Sequence, residues 1–177
     1  MPRALSLSER TALPMWQEEN RALFAQCLNG LAADPYVKQM QPIRQHAENV
    51  SCYDHCLFVS YLAFTLCRKT GLDYRVAARG GLLHDLYLQN WEETDVNPLR
   101  RLWLHPHMAL ANARRFGLSP KEENIIQSHM WPVGRTLPRS WESVMVNLAD
   151  KAAATVEMLH LVRLLGVQRN LELLKQA

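Results

Sequence analysis

At 177 residues, with 48% hydrophobic and 21% charged side chains, the chain can close one core and has the composition of an ordinary globular protein. A formal charge of +3, carried by scattered basic residues, gives no field suited to nucleic acid or a membrane surface. No run approaches the roughly 18 apolar residues of a spanning helix, and Met1 to Leu13 lacks the continuous apolar region of a secretory leader. The expected compartment is the cytoplasm. There the cysteines, Cys27, Cys52, Cys56 and Cys67, form no C-x-x-C pair and are expected as free, partly buried thiols. Cys52 and Cys56, four apart, share a helical face, the one spacing among them suited to a soft metal.

Nearly every element reads as helix. Pro14 opens a segment in which Trp16, Leu23, Cys27, Leu28 and Leu31 recur at helical spacing, ending near Asp34-Pro35. A short turn or helix from Pro35 to Met40 leads into an extended stretch around Pro42. Ser51 starts a strong helix with Phe58, Val59, Leu62 and Leu66 on one stripe and Gly71 as its stop. Asp73 caps the next helix, which runs through Val76, Ala77, Gly80 and Leu83 to about Leu88. Asn90 to Leu104, polar and broken by Pro98, reads as a loop or lid with one irregular turn.

Pro106 begins another helix, closed by Gly117. Ser119-Pro120-Lys121-Glu122 is a capping box with proline at the first helical position, and its helix reaches about Met130. Trp131-Pro132-Val133-Gly134 breaks the chain and Pro138 extends the loop. Ser140 caps a long final helix through Val144, Leu148 and Leu159, interrupted near Gly166. No alternating strand of useful length appears. The expected fold is all-α.

Histidines and aspartates then fall at telling places. His55 lies on the apolar stripe of its helix, with Phe58, Val59 and Leu62 at offsets of three, four and seven, so it points inward. His84-Asp85 follows Ala77-Ala78-Arg79-Gly80-Gly81. Two helical glycines cost about 1 kcal/mol each relative to alanine, and close approach of a neighbouring helix, bringing His55 towards His84, would compensate. His105 precedes Pro106, His129 ends the capped helix, and Asp150 sits mid-helix beside Leu148 and an alanine run, where a carboxylate needs a partner. Any one of these is an ordinary buried polar residue when taken singly; His107 and His160 are assigned to that class or to the surface. Together, four imidazoles and two carboxylates are a ligand set for one or two divalent transition metal ions.

The order H…HD…D, carried by His55, His84-Asp85 and Asp150 over roughly Gln45 to Leu159, resembles the HD superfamily of metal-dependent phosphohydrolases. With His105 and His129 between, the chain is similar to the six-ligand subset that includes diadenosine-tetraphosphatase-like and HD-GYP proteins. Ser51-Cys52-Tyr53-Asp54-His55 and Ala78 to Asp85 resemble stand-alone bacterial HD hydrolases most closely. Two features depart: His84-Asp85-Leu86-Tyr87 lacks the lysine of His-Asp-Ile-Gly-Lys, and no Gly-Tyr-Pro signature is present.

The resemblance implies a single-domain helical bundle with a metal site between helices. In it, 1–45 is an N-terminal helical segment packed on the core, 46–165 the HD domain, and 166–177 a C-terminal helix. It further implies that His55, His84, Asp85 and Asp150 hold one ion and that Asp85 bridges to a second held by His105 and His129. Ions about 3.5 to 4 Å apart would share a hydroxide that attacks phosphorus, so Asp85 is the catalytic carboxylate and no nucleophilic side chain is needed. Iron or manganese is favoured, and zinc, nickel or cobalt suits the same donors.

The expected substrate is a small phosphorylated metabolite or nucleotide, with His46, Arg135 and Lys151 as candidate contacts, Trp131 as a stacking or packing residue and Arg79 as a salt-bridge or anion residue. No nucleic-acid or membrane partner is expected, and a homodimer is the one assembly left open. The same ligands would serve a di-iron oxygenase, and a non-catalytic metal- or ligand-sensing domain is the third reading.

Overall fold

The computed structural model describes residues 16–45, 50–162 and 165–175. Among these the fold is all-α: seven α-helices, short 3-10 turns and no strand, with an isolated antiparallel bridge between Arg44 and Ser51. In chain order the helices are α1 (Glu18–Leu28), α2 (Cys52–Thr70), α3 (Tyr74–Leu83), α4 (Pro98–Ala113), α5 (Pro120–Ser128), α6 (Trp141–Met158) and α7 (Val167–Lys175). No helix among the described residues is long and apolar enough to cross a membrane.

The capping chemistry in the sequence sets most of the helix starts. The Ser51 hydroxyl accepts from Asp54 N, Asp73 accepts from Arg75 N and Val76 N, and Ser140 accepts from Ser143 N. Both bonds of the Ser119–Glu122 box are present, satisfying amides that a helix start leaves without partners. Gly71, at φ 73°, stops α2.

Helix α2 is the axis of the molecule, packed against α3 and α6, and α1 lies against both α2 and α3. Burial therefore does not follow the single stripe of its periodicity. Tyr53, Leu57, Tyr61, Phe64 and Cys67 are buried around it, while Leu66 is 39% exposed. Trp16 stacks on Tyr61 with ring centroids 4.7 Å apart, and Phe24 meets Tyr61 edge-on at 5.0 Å. Leu171 and Leu174 of α7 belong to the same continuous core, and Lys175 Nζ reaches Asp54 Oδ1 at 2.7 Å.

Four boundaries differ from the periodicity, each for a local reason. Helix α1 ends at Leu28 rather than near Asp34, because Asn29 and Gly30 take left-handed backbone at φ 46° and 79°, which ends a helix. Pro14 lies outside the described residues. Helix α3 ends at Leu83, and residues 84 to 87 form turns held by Leu86 N to Leu83 O at 3.2 Å and Tyr87 N to Asp85 O at 2.8 Å.

Helix α4 begins at Pro98, inside the expected loop. Asn97 caps it by accepting from Leu99 N, and proline at the first position forfeits only an amide that would be unpaired anyway. Pro106 then falls inside this helix rather than opening it, at the cost of one ladder bond. Helix α6 stops at Met158, and Leu148 and Leu159 are 53% and 61% exposed. Its buried face carries Glu142, Ser143, Asn147, Asp150 and Glu157 beside Val146, Ala149 and Ala153.

The paired glycines of α3 work as the close-approach argument requires. A Cβ on Gly81 would lie 2.8 Å from Ser60 Cα of α2, and one on Gly80 would meet the Ile125 side chain of α5 at 2.8 Å. Ser60 Oγ donates to Ala78 O at 2.6 Å across the same contact. Gly81→Ala should therefore destabilise the protein by about 1–3 kcal/mol from overpacking, outweighing the ~1 kcal/mol that alanine gains in a helix. Thermal denaturation reads this directly; a variant as stable as the parent would show that α2 and α3 are not held this close.

Candidate metal centre

Five elements bring six ligand-type side chains to one place. His55 comes from the second turn of α2, His84 and Asp85 from the turn after α3, His105 from the middle of α4, His129 from the end of α5 and Asp150 from the middle of α6. All six are buried. His55, His84 and Asp150 form one group able to hold a divalent ion, and His84, Asp85 and His129 form a second.

The rings are oriented by their second nitrogen. His84 and His129 stand at the C-terminal caps of α3 and α5, where backbone carbonyls lack amide partners. His84 Nδ1 donates to Gly81 O at 2.7 Å and His129 Nδ1 to Ile126 O at 2.8 Å. His105 Nδ1 donates to Arg101 O one turn earlier, at 2.9 Å. His55 Nδ1 meets both oxygens of Glu157, at 2.9 and 3.1 Å. With Nδ1 occupied as a donor in each ring, Nε2 is the nitrogen that faces the centre and the one a metal would take.

Those four Nε2 atoms converge on the carboxylates. His55 Nε2 is 3.1 Å from Asp150 Oδ1, and His84 Nε2 lies 3.7 Å from the same oxygen and 3.6 Å from Asp85 Oδ2. His105 and His129 Nε2 each lie 3.4 Å from Asp85 Oδ1. The two oxygens of Asp85 therefore face different histidines.

The donor set fits a cation better than it fits itself. His84 Nε2 and Asp85 Oδ1 are buried without a hydrogen bond, a costly state for polar atoms. His105 and His129 Nε2 face each other at 2.8 Å. Unless one of them carries a proton, two lone pairs at that distance repel, whereas two nitrogens bound at about 2.0–2.1 Å to one ion come naturally this close.

Electrostatics set the proton balance of the cluster. Burial pushes His105 down to about 4, so its ring is neutral at physiological pH. Burial also disfavours charge on His55 and His84, but hydrogen bonds to Asp150 and Glu157 raise His55 well above the usual imidazole range, and Asp85 and Asp150 raise His84, so a metal would have to displace a proton from His55. Burial opposes ionisation of Asp85, but the neighbouring imidazoles, His84 foremost, hold its carboxyl well below the usual range. Asp150 is likewise held low, against burial, by hydrogen bonds with His55 and His84.

Supporting contacts fix the rest. Gln45 Nε2 donates to Asp85 Oδ2 at 2.7 Å and is itself held by Tyr87 OH at 2.8 Å. Asn147 Nδ2 donates to His129 O at 2.6 Å and Trp131 O at 2.8 Å, pinning the end of α5 to α6. Sequence reasoning passed over Gln45, Tyr87, Asn147 and Glu157. For Glu157 a signal existed: it lies two turns after Asp150 on one helical face.

Of the other candidates, those described make contacts of their own. Lys151 Nζ donates to His129 O at 3.0 Å, and the Arg135 guanidinium lies over the Trp103 ring, 4.6 Å from its centroid. Arg79 makes a 2.7 Å ion pair with Glu122 and also donates to Phe116 O, the salt-bridge role. Trp131 and His107 are exposed, and His46 lies outside the described residues. Cys27, Cys52, Cys56 and Cys67 are free and buried.

A family model described as the HD domain matches residues 52–155, more than half of the chain and a span that contains all six ligands. Ribonuclease Y of Pseudothermotoga lettingae is 35% identical over 101 residues, covering 57% of this chain and 18% of that relative. Ribonuclease Y of Clostridium perfringens strain SM101 is 32% identical over 102 residues, covering 56% and 18%. The chain thus spans less than a fifth of the length of these relatives. No solved structure matches.

A centre of this kind couples metal to folding. Adding Mn2+ or Zn2+ to chelator-treated protein should raise its melting temperature, since free ion at a hundred times Kd is worth about 2.7 kcal/mol. His84→Ala, which removes the ring facing both carboxylates, should abolish most of that rise. A melting temperature insensitive to every divalent ion would contradict the assignment.

Proposed function

The chain belongs to the HD-domain family, and from that premise we propose that it hydrolyses a small phosphorylated metabolite, a nucleotide foremost, with two divalent ions at the His/Asp cluster. The observation that carries the reading is Asp85: a buried carboxylate with Oδ2 towards His84 and Oδ1 towards His105 and His129, the arrangement of a bridging ligand. His55, His84 and Asp150 would complete one ion's shell and His105 and His129 the other's. Bound there, divalent cations would supply Lewis acidity, lowering the pKa of a water and stabilising charge at phosphorus. Iron or manganese is the favoured occupant, because imidazole and carboxylate donors without thiolate suit both.

The protein's own share of the chemistry is orientation and charge. Gln45, braced by Tyr87, holds Asp85 Oδ2 and so fixes the carboxylate plane between the two pockets. Arg135, exposed beside Trp103, would be the cation that meets a phosphate arriving from solvent, and the exposed face of Trp103 would offer a base something to stack on. Lys151 neutralises charge from α6, one residue after Asp150, and His46 is retained as a contact from the segment leading to α2. A second reading follows from the name of the relatives, ribonuclease: the scissile group would then be a phosphodiester in RNA rather than a phosphate on a metabolite.

Metal-free protein reloaded in turn with Fe2+, Mn2+, Co2+, Ni2+ and Zn2+ tests this against nucleotides and a short single-stranded RNA. The expected outcome is metal-dependent release of phosphate or of a nucleotide, reduced at least ~100-fold in Asp85→Ala. Arg135→Ala should raise KM several-fold with little change in kcat, the mark of lost uniform binding. Oxygen uptake by the iron form without phosphoester cleavage, or two bound ions with no turnover of any phosphoester, would overturn the proposal.

A further inference from the structure

Of the four rings in the centre, three rest their Nδ1 on backbone carbonyls: Gly81 O, Arg101 O and Ile126 O. His55 is different. Its Nδ1 donates into the carboxylate of Glu157, which is 2% exposed and meets the ring with both oxygens. Glu157 lies seven residues after Asp150 on the buried face of α6, so a single helix grips both nitrogens of one imidazole.

The two kinds of partner do different work. A backbone carbonyl fixes a ring's tautomer and angle but brings no net charge. A carboxylate does both, and it makes the far nitrogen a stronger donor to a cation. The pockets therefore differ in charge as well as in shape. The pocket of His55, His84 and Asp150 has the Asp150 carboxylate in direct contact and Glu157 behind it, and it shares Asp85. The pocket of His105 and His129 has Asp85 Oδ1 alone.

We propose that Glu157 is the positioning carboxylate of the His55 pocket, making it the tighter of two unequal metal pockets, so that ions load there first and at His105–His129 second. This rests on the reading of the cluster as a two-ion centre. Glu157 touches neither substrate nor ion in this account; it acts through His55. On its other side it borders a cavity of about 470 Å³.

The test is a stepwise titration of the metal-free protein with Mn2+ or Zn2+ against a chromophoric chelator. Wild type should show two separable binding steps. Glu157→Gln keeps the shape and a hydrogen-bond acceptor for Nδ1 but removes the charge. It should weaken the tighter step by about 10–100-fold and leave the weaker step nearly unchanged. A merely structural role for Glu157 would shift both steps together.

A second arm does not depend on that variant folding. His105→Ala should remove the weaker step and preserve the tighter one. Two bound ions with a tighter step that ignores Glu157→Gln, or a tighter step lost in His105→Ala, would overturn the inference while leaving the two-ion centre intact. Failure of wild type to bind any ion would instead sink the underlying reading.

Discussion

Asp85 is the constraint around which the rest of the molecule is arranged. A carboxylate taken out of water costs several kcal/mol unless charge or hydrogen bonds replace the lost solvent. Here the replacement comes from three imidazoles and Gln45, and it is incomplete, because Oδ1 accepts no hydrogen bond. A fold does not keep an uncompensated buried oxygen and two imidazole nitrogens 2.8 Å apart for stability. The deficit is what a cation would fill.

The way the helices end supplies the geometry. His84 and His129 each sit where a helix stops and its carbonyls lose their amide partners. Each ring uses Nδ1 to satisfy its own helix and presents Nε2 to the centre, so one residue both caps a helix and offers a donor to the cluster. Close packing of α2 on α3, permitted by Gly81 against Ser60, brings His55 and His84 rings to a centroid separation of 5.5 Å. Helix α6 closes the site from the other side with a polar inner face, Asn147 holding the His129 backbone, Asp150 facing His55 and His84, and Glu157 behind His55.

The centre was legible in the sequence because its residues are chemically marked and lie at helix ends with recognisable caps. Ser51, Asp73, Ser119–Glu122 and Ser140 all start helices where their side chains predict. Less legible was anything decided by packing. Proline reads as a break, yet Pro98 starts α4 and Pro106 sits within it, since the first helical position needs no amide and tertiary contacts outweigh one lost bond. Apolar periodicity marks α6 by Leu148 and Leu159, which the structure leaves exposed, while its buried face mixes the small apolar Val146, Ala149 and Ala153 with five polar residues. Hydrophobic pattern finds cores and is blind to a helix whose inner face serves a polar site. Gln45 and Tyr87 carry no local signal, because their importance arises only when the turn after α3 meets the chain before α2.

Direct observation of the ions tests the central claim most plainly. Crystals grown with Mn2+ and measured near the manganese absorption edge should give two anomalous peaks inside the cluster, one among His55, His84, Asp85 and Asp150 and one among Asp85, His105 and His129. Clear density for all six side chains with no anomalous peak between them, at ion concentrations well above those of ordinary divalent sites, would contradict it.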